Sequence, residues 1–141
     1  MLKRIVLSSI VLSILVTLPL SGKAPNIREG QWEITTKTEM PGMPMAMPAV
    51  THTQCLTKRD MVPQNSQENQ GCKISKVKIK GNTVTWKIFC KNQNGTTSGS
   101  GKITYKGTTF KGYMTLVMKY PGQEKMKMKS IMSGCRIGNC K

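Results

Sequence analysis

The chain is poor in acids, aromatics and histidine. Among 141 residues it has 6 Asp+Glu, 1 His and 5% aromatics. The acids, Glu29, Glu33, Glu39, Asp60, Glu68 and Glu124, form no evident close pair of the kind that general acid/base hydrolysis needs. The single histidine, His52, excludes multi-histidine metal sites and makes zinc a poor fit. In a strand with polar neighbours it reads as an exposed or hydrogen-bonded side chain. There is no Gly-x-Ser-x-Gly elbow, Walker loop or Rossmann fingerprint. Gly99-Ser100-Gly101 precedes a strand rather than a helix, which argues against a phosphate cradle. Cys-x-x-Cys, the usual spacing of a thiol oxidoreductase, is also missing. No enzyme is expected on these grounds. The length excludes several domains, and the want of a second long apolar run excludes a polytopic membrane protein.

What is present begins with Met1-Leu2-Lys3-Arg4, an apolar run from Ile5 to Leu20, and Ser21-Gly22-Lys23-Ala24. That order reads as a secretory signal peptide over residues 1–24. Cleavage after Gly22 is the alternative, because Pro25 would follow the first cut. The apolar run is shorter than the roughly 20 residues of a membrane span. Residues 25–141 then form a single β domain, and losing Lys3, Arg4 and Lys23 lowers the net charge from +16 to +13. The five cysteines suit an oxidising, periplasmic or secreted location. The charge favours anionic partners such as an envelope surface. Nucleic acid is disfavoured, because single-strand binders interleave lysines with exposed aromatics. The lysines alternate with apolar residues and so read as forming no compact cluster.

Strand signals dominate from Gln31 onward. Residues 31–39 and 50–57 read as strands, separated by a Met/Pro-rich loop over 40–49. Thr57 and Asp60 give a weak capping signal for one helical turn, limited by Pro63. Residues 64–71 read as a polar loop. Val77–Lys80 and Thr83–Ile88 flank Gly81-Asn82, a hairpin that sets Ile79 opposite Val84 and Val77 opposite Trp86. Lys102–Tyr105 and Thr109–Phe110 flank Gly107-Thr108, setting Tyr105 opposite Phe110 and Ile103 opposite Gly112. Met114 to Lys119 continues that strand. Pro121-Gly122 predicts a type II turn into a last strand over 124–133. The expected fold is all-β, a small antiparallel meander of about seven strands forming a curved sheet or up-and-down barrel. A two-sheet sandwich is the alternative. The expected interior is Trp32, Val77, Trp86, Ile88, Ile103, Tyr105, Phe110 and Leu116.

The cysteines are Cys55, Cys72, Cys90, Cys135 and Cys140. In the turn-proximal hairpin register Cys72 and Ile74 fall on the wrong face. One extra residue bulged near Ser75 brings Ile74 opposite Ile88 and Cys72 opposite Cys90. A Cys72–Cys90 disulfide is therefore expected. Cys55 would pair with Cys140 or Cys135, and Cys135–Cys140 is the rival.

Several landmarks occur in a fixed order: Gly30-x-Trp32-Glu33, Met40-Pro41-Gly42-Met43-Pro44, Cys55-Leu56-Thr57, Cys72, Trp86 before Cys90, Gly99-x-Gly101, Tyr105, Phe110-x-Gly112 and Gly134-x-Arg136-x-Gly138-x-Cys140. In this the chain resembles the bacterial envelope family called domain of unknown function 3617. The resemblance spans essentially the whole mature chain. It implies that Cys55, Cys72, Cys90 and Cys140 are the family's set and that Cys135 is the unpaired thiol. It implies no activity, substrate or catalytic residue.

The expected function is a non-enzymatic periplasmic binding or envelope-associated protein. Its partner would be a small apolar molecule held by Trp32, Trp86, Tyr105 and Phe110, or an envelope protein. No cofactor is expected. A second reading gives Met40, Met43, Met45 and Met47 as soft thioether ligands for Cu(I), although methionine and proline equally fill irregular gaps. A third is a purely structural interaction module.

Overall fold

A computed structural model describes residues 23–43, 47–62 and 71–141. Residues 1–22 of the expected signal segment, Met45, Pro63 and most of the loop over 64–71 lie outside the described residues. The chain forms β1 (Gly30–Glu39), β2 (Val50–Leu56), β3 (Cys72–Lys80), β4 (Thr83–Asn92), β5 (Gly95–Tyr105), β6 (Thr109–Lys119) and β7 (Met126–Gly138). They make one antiparallel sheet in the order β2-β1-β7-β6-β5-β4-β3. Strands β3 to β7 run as a meander, and β1 then pairs with β7. An up-and-down barrel would contain every one of these pairs and one more, β2 with β3. That pair is absent, so the sheet is unclosed, neither barrel nor sandwich, and β2 and β3 are its two edges.

The hairpins follow the registers that the alternation requires. Ile79 opposes Val84, Tyr105 opposes Phe110, and Ile103 opposes Gly112. Trp86 is a correction: it faces no single residue but the two-residue bulge Lys76-Val77, with Lys76 at φ 51°. Past the bulge Ile74 meets Ile88 and Cys72 meets Cys90. Val77, expected inside, is 49% exposed because β3 is an edge strand with no neighbour beyond it. Strand β5 begins at Gly95, well before Lys102. Its Gly- and Ser-rich first half has weak strand propensity but is paired on both sides, to β4 and β6. Strand β7 runs on to Gly138 for the same reason, held by β1. Thr57 and Asp60 close a tight turn, not a helical one: the Asp60 carboxylate accepts from the Thr57 N–H (3.0 Å) and hydroxyl (2.7 Å).

One face carries the core. Trp32, Ile34, Val84, Trp86, Ile103, Tyr105, Phe110 and Met132 are buried there, covered by Ile27, Leu56 and Val62. Ile88 and Leu116 are half-buried farther along the same face. Glycines on this face make room for large neighbours: a Cβ on Gly101 would collide with the Trp86 ring, and one on Gly134 with the Phe110 ring. Tyr105 on β5 and Gln54 on β2 line one small cavity. In a flat sheet those strands would lie about 19 Å apart, so the sheet curls around this face.

One end of the curl is shut by residues 25–29. Gly107 N–H donates to the Asn26 carbonyl (2.7 Å), Arg28 N–H donates to the Gly107 carbonyl (2.9 Å), and Arg136 Nε donates to the Glu29 carbonyl (2.8 Å). Each edge strand is also stapled. Cys72–Cys90 ties β3 to β4, and Cys55–Cys140 ties β2 to the tail after β7, across β1. Cys135 is a free, exposed thiol.

Candidate functional site

The four aromatics singled out by the sequence are all buried in the core, and three of them meet. Trp32 and Phe110 have ring centroids 5.6 Å apart, and Tyr105 meets Phe110 edge-on at 5.7 Å. Trp32 Nε1 donates to the Arg28 carbonyl (3.1 Å), and the Tyr105 hydroxyl donates to the Met61 carbonyl (2.7 Å). Burial, reinforced by the Asp60 carboxylate, holds the Tyr105 phenol well above its ordinary pKa. Trp86 packs separately, over Gly101. The space beside Tyr105 and Phe110 is about 30 Å³. That holds a water molecule or two, against roughly 300–1,000 Å³ for small-molecule sites. His52 and Asp60 also line it. Among the described residues no three His, Cys, Asp or Glu side chains gather as a metal group.

The loop methionines are placed differently. Met43 and Met47 are exposed and Met40 is half-buried; Met45 lies outside the described residues. Met40 directly follows the pair Glu39–Lys129, so it enters beside Met128 of β7. Met118 and Met126 oppose each other on the neighbouring ladder. The end of the sheet away from residues 25–29 thus carries methionines from distant parts of the sequence.

The opposite, outward face is a correction to the sequence reading. Alternation with apolar residues does not disperse the lysines; a period of two puts them all on one side. The registers place Lys73, Lys78 and Lys80 of β3 and Lys87 and Lys91 of β4 on the outward face. They are joined there by Lys102 of β5, Lys111 and Lys119 of β6, and Lys127 and Lys129 of β7. Strands β3 to β7 contain no Asp or Glu. Among the described residues the one ion pair, Lys37–Glu39 at 3.6 Å, lies on β1. Apolar side chains stand among the lysines: Tyr113 is 45% exposed, Phe89 47% and Ile131 40%.

Two clefts flank Tyr113. One, of about 420 Å³, is lined by Lys76, Lys78, Lys87 and Lys102 with Thr85 and Ser100. The other, of about 290 Å³, is lined by Lys102, Lys111 and Lys129 with Thr104 and Ile131. Neither contains a carboxylate. They present ammonium donors and hydroxyls, an arrangement suited to anionic oxygen.

The family model described as Protein of unknown function (DUF3617) matches residues 27–140. The chain belongs to the DUF3617 family. No curated protein and no solved structure matches it. The landmarks by which the sequence resembles DUF3617 are core residues, staples and turns of the fold: Trp32 and Phe110 inside, Cys55 and Cys140 at one edge, Gly101 under Trp86. The outward lysines are not among them. The two disulfides of this DUF3617 member are compatible with an oxidising, extracytoplasmic compartment. Among its described residues no helix is long and apolar enough to cross a membrane.

Proposed function

We propose that this chain is a non-enzymatic binding protein of the bacterial periplasm that docks on an anionic partner through the outward face of β3–β7. The observation that carries the reading is the segregation of ten lysines, with no acid among them, onto one side of five consecutive strands. Like charges so placed repel one another in the free protein, and a polyanion relieves that repulsion while drawing the protein in. The expected signal segment and the disulfides agree with the compartment. The test is retention on immobilised heparin. The protein is expected to bind at low salt and elute as salt rises. Replacing four outward lysines by glutamine should lower the eluting salt far more than replacing Lys23, Lys58, Arg59 and Lys141, which lie outside strands β3–β7. Equal effects would count against the reading.

A second reading is favoured by one observation, the register that leads Met40 toward Met128 of β7, next to the facing pair Met118 and Met126. Thioethers gathered there suit Cu(I). Titration against a chromogenic Cu(I) chelator tests it, with Met→Leu replacements keeping the apolar surface while removing sulfur.

A further inference from the structure

We infer that the surface this protein docks on is a bilayer of anionic, phosphate-bearing lipids, with Tyr113 and Ile131 entering the headgroup layer and the clefts beside Tyr113 receiving phosphate groups. The inference rests on the docking reading above and names its partner. Three observations converge on it.

The first is shape. The sheet curls around its aromatic face, so the lysine face is the convex side. A convex surface meets a plane at its crest. Strand β6 is the fourth of seven across the sheet, and Tyr113 sits on it facing outward. Its direct neighbours are Lys102 on β5 and Ile131 on β7. The first contact with a flat surface is therefore made by a tyrosine and an isoleucine ringed by lysines.

The second is the chemistry of that crest. An acidic peptide or soluble polyanion offers the lysines their counter-charge but gives the exposed Tyr113 and Ile131 no apolar phase. A bilayer supplies both. Tyrosine is at home at headgroup level, its ring toward the acyl boundary and its hydroxyl in the polar layer. Phe89 is also exposed on this face, two outward rows along and two strands across from Tyr113.

The third is the clefts. They share Lys102 and Tyr113, so both open at the crest. Their lysines come from several strands, from β3 to β7, so each cleft offers an anion ammonium groups from more than one strand. Thr85 and Ser100 add hydroxyls to the larger cleft, and Thr104, whose hydroxyl is hydrogen-bonded to that of Thr83 (2.9 Å), lines the smaller. Phosphate oxygens of headgroups standing around an inserted tyrosine would fall within reach of both.

The experiment is co-sedimentation of the disulfide-bonded protein with vesicles of phosphatidylcholine, with and without phosphatidylglycerol, run beside heparin retention. Binding is expected to the phosphatidylglycerol vesicles only, weakening with salt. Lys102→Gln is expected to cost about fivefold in vesicle affinity, and Lys91→Gln, outside both clefts, less. Tyr113→Ser leaves the charge unchanged and should weaken vesicle binding while the heparin elution salt stays where it was. Heparin retention without vesicle binding would overturn the lipid assignment and leave the docking reading standing. Loss of both overturns both. Vesicle binding indifferent to Tyr113→Ser overturns the inserted crest, and a preference for single-stranded DNA over vesicles at equal salt overturns the lipid assignment. Unchanged thermal unfolding of each variant shows that the fold is intact.

Discussion

The two faces of this sheet are written in the same strands, one residue out of step, and they are stabilised in opposite ways. On the inward face every large side chain is met by another or by a glycine: Phe110 by Trp32, Tyr105 and Gly134, and Trp86 by Gly101. On the outward face Lys102 meets Tyr113, and Tyr113 meets Ile131, with water above them. The inward face contributes folding energy by burial. The outward face contributes little and stores like-charge repulsion. A small domain that does this relies on its inner face and its staples, and leaves the outer face free for a partner.

The sharpest test of that contrast pairs Phe110→Ala with Tyr113→Ala. These are aromatic residues of one strand, three positions apart and facing opposite ways. The first should cost about 3–5 kcal/mol in chemical denaturation, and the second within about 0.5 kcal/mol. Comparable losses would mean that the outward face is a second core. Removing the staple behind the inner face comes next. Replacing Cys72 and Cys90 together by serine opens a loop with a sequence separation of 18, and chain entropy puts the loss at about 3 kcal/mol. Gly101→Ala should follow at about 1–3 kcal/mol, since a methyl group there meets the Trp86 ring.

Tyr105→Phe removes the hydroxyl that donates to the Met61 carbonyl, for about 1 kcal/mol at neutral pH. It also changes the alkaline limb. The fold holds the neutral phenol, so its contribution is complete below the unfolded value of about 10 and is lost as pH rises beyond it. The variant should lack that component in a comparison of unfolding free energies across the range. The smallest effect is salt. Added salt screens the lysine face, and the melting point should rise by a few degrees, less so once the outward lysines are glutamine.

Much of this was legible beforehand, and for identifiable reasons. Local hairpins are: Gly81-Asn82 and Gly107-Thr108 fix their own registers, and the clash of Cys72 with its expected face revealed the bulge near Ser75. The strand order is not, because the pairing of β1 with β7 joins segments nearly a hundred residues apart and no turn specifies it. The first half of β5 was missed because Gly and Ser weaken a strand in isolation, whereas here flanking strands hold them on both sides. The lysine face was hidden by reading along the chain. Lys125, Lys127 and Lys129 alternate with methionines, and alternation along a strand is segregation across a sheet. Lys102 beside Tyr113 needed only the β5–β6 register, which follows from the pair Tyr105–Phe110, whereas Ile131 needed the β6–β7 register as well.

The Cys55–Cys140 bridge has a consequence of another kind. Joining residues 85 positions apart, it makes most of the domain a covalent ring, with a smaller ring inside it through Cys72–Cys90. One proteolytic cut anywhere between Cys55 and Cys140 opens the ring without releasing a fragment. A nicked molecule keeps its mass, apart from one added water, until a reductant parts the halves. In a compartment rich in proteases and poor in reductants, such a molecule is lost at the second cut rather than the first.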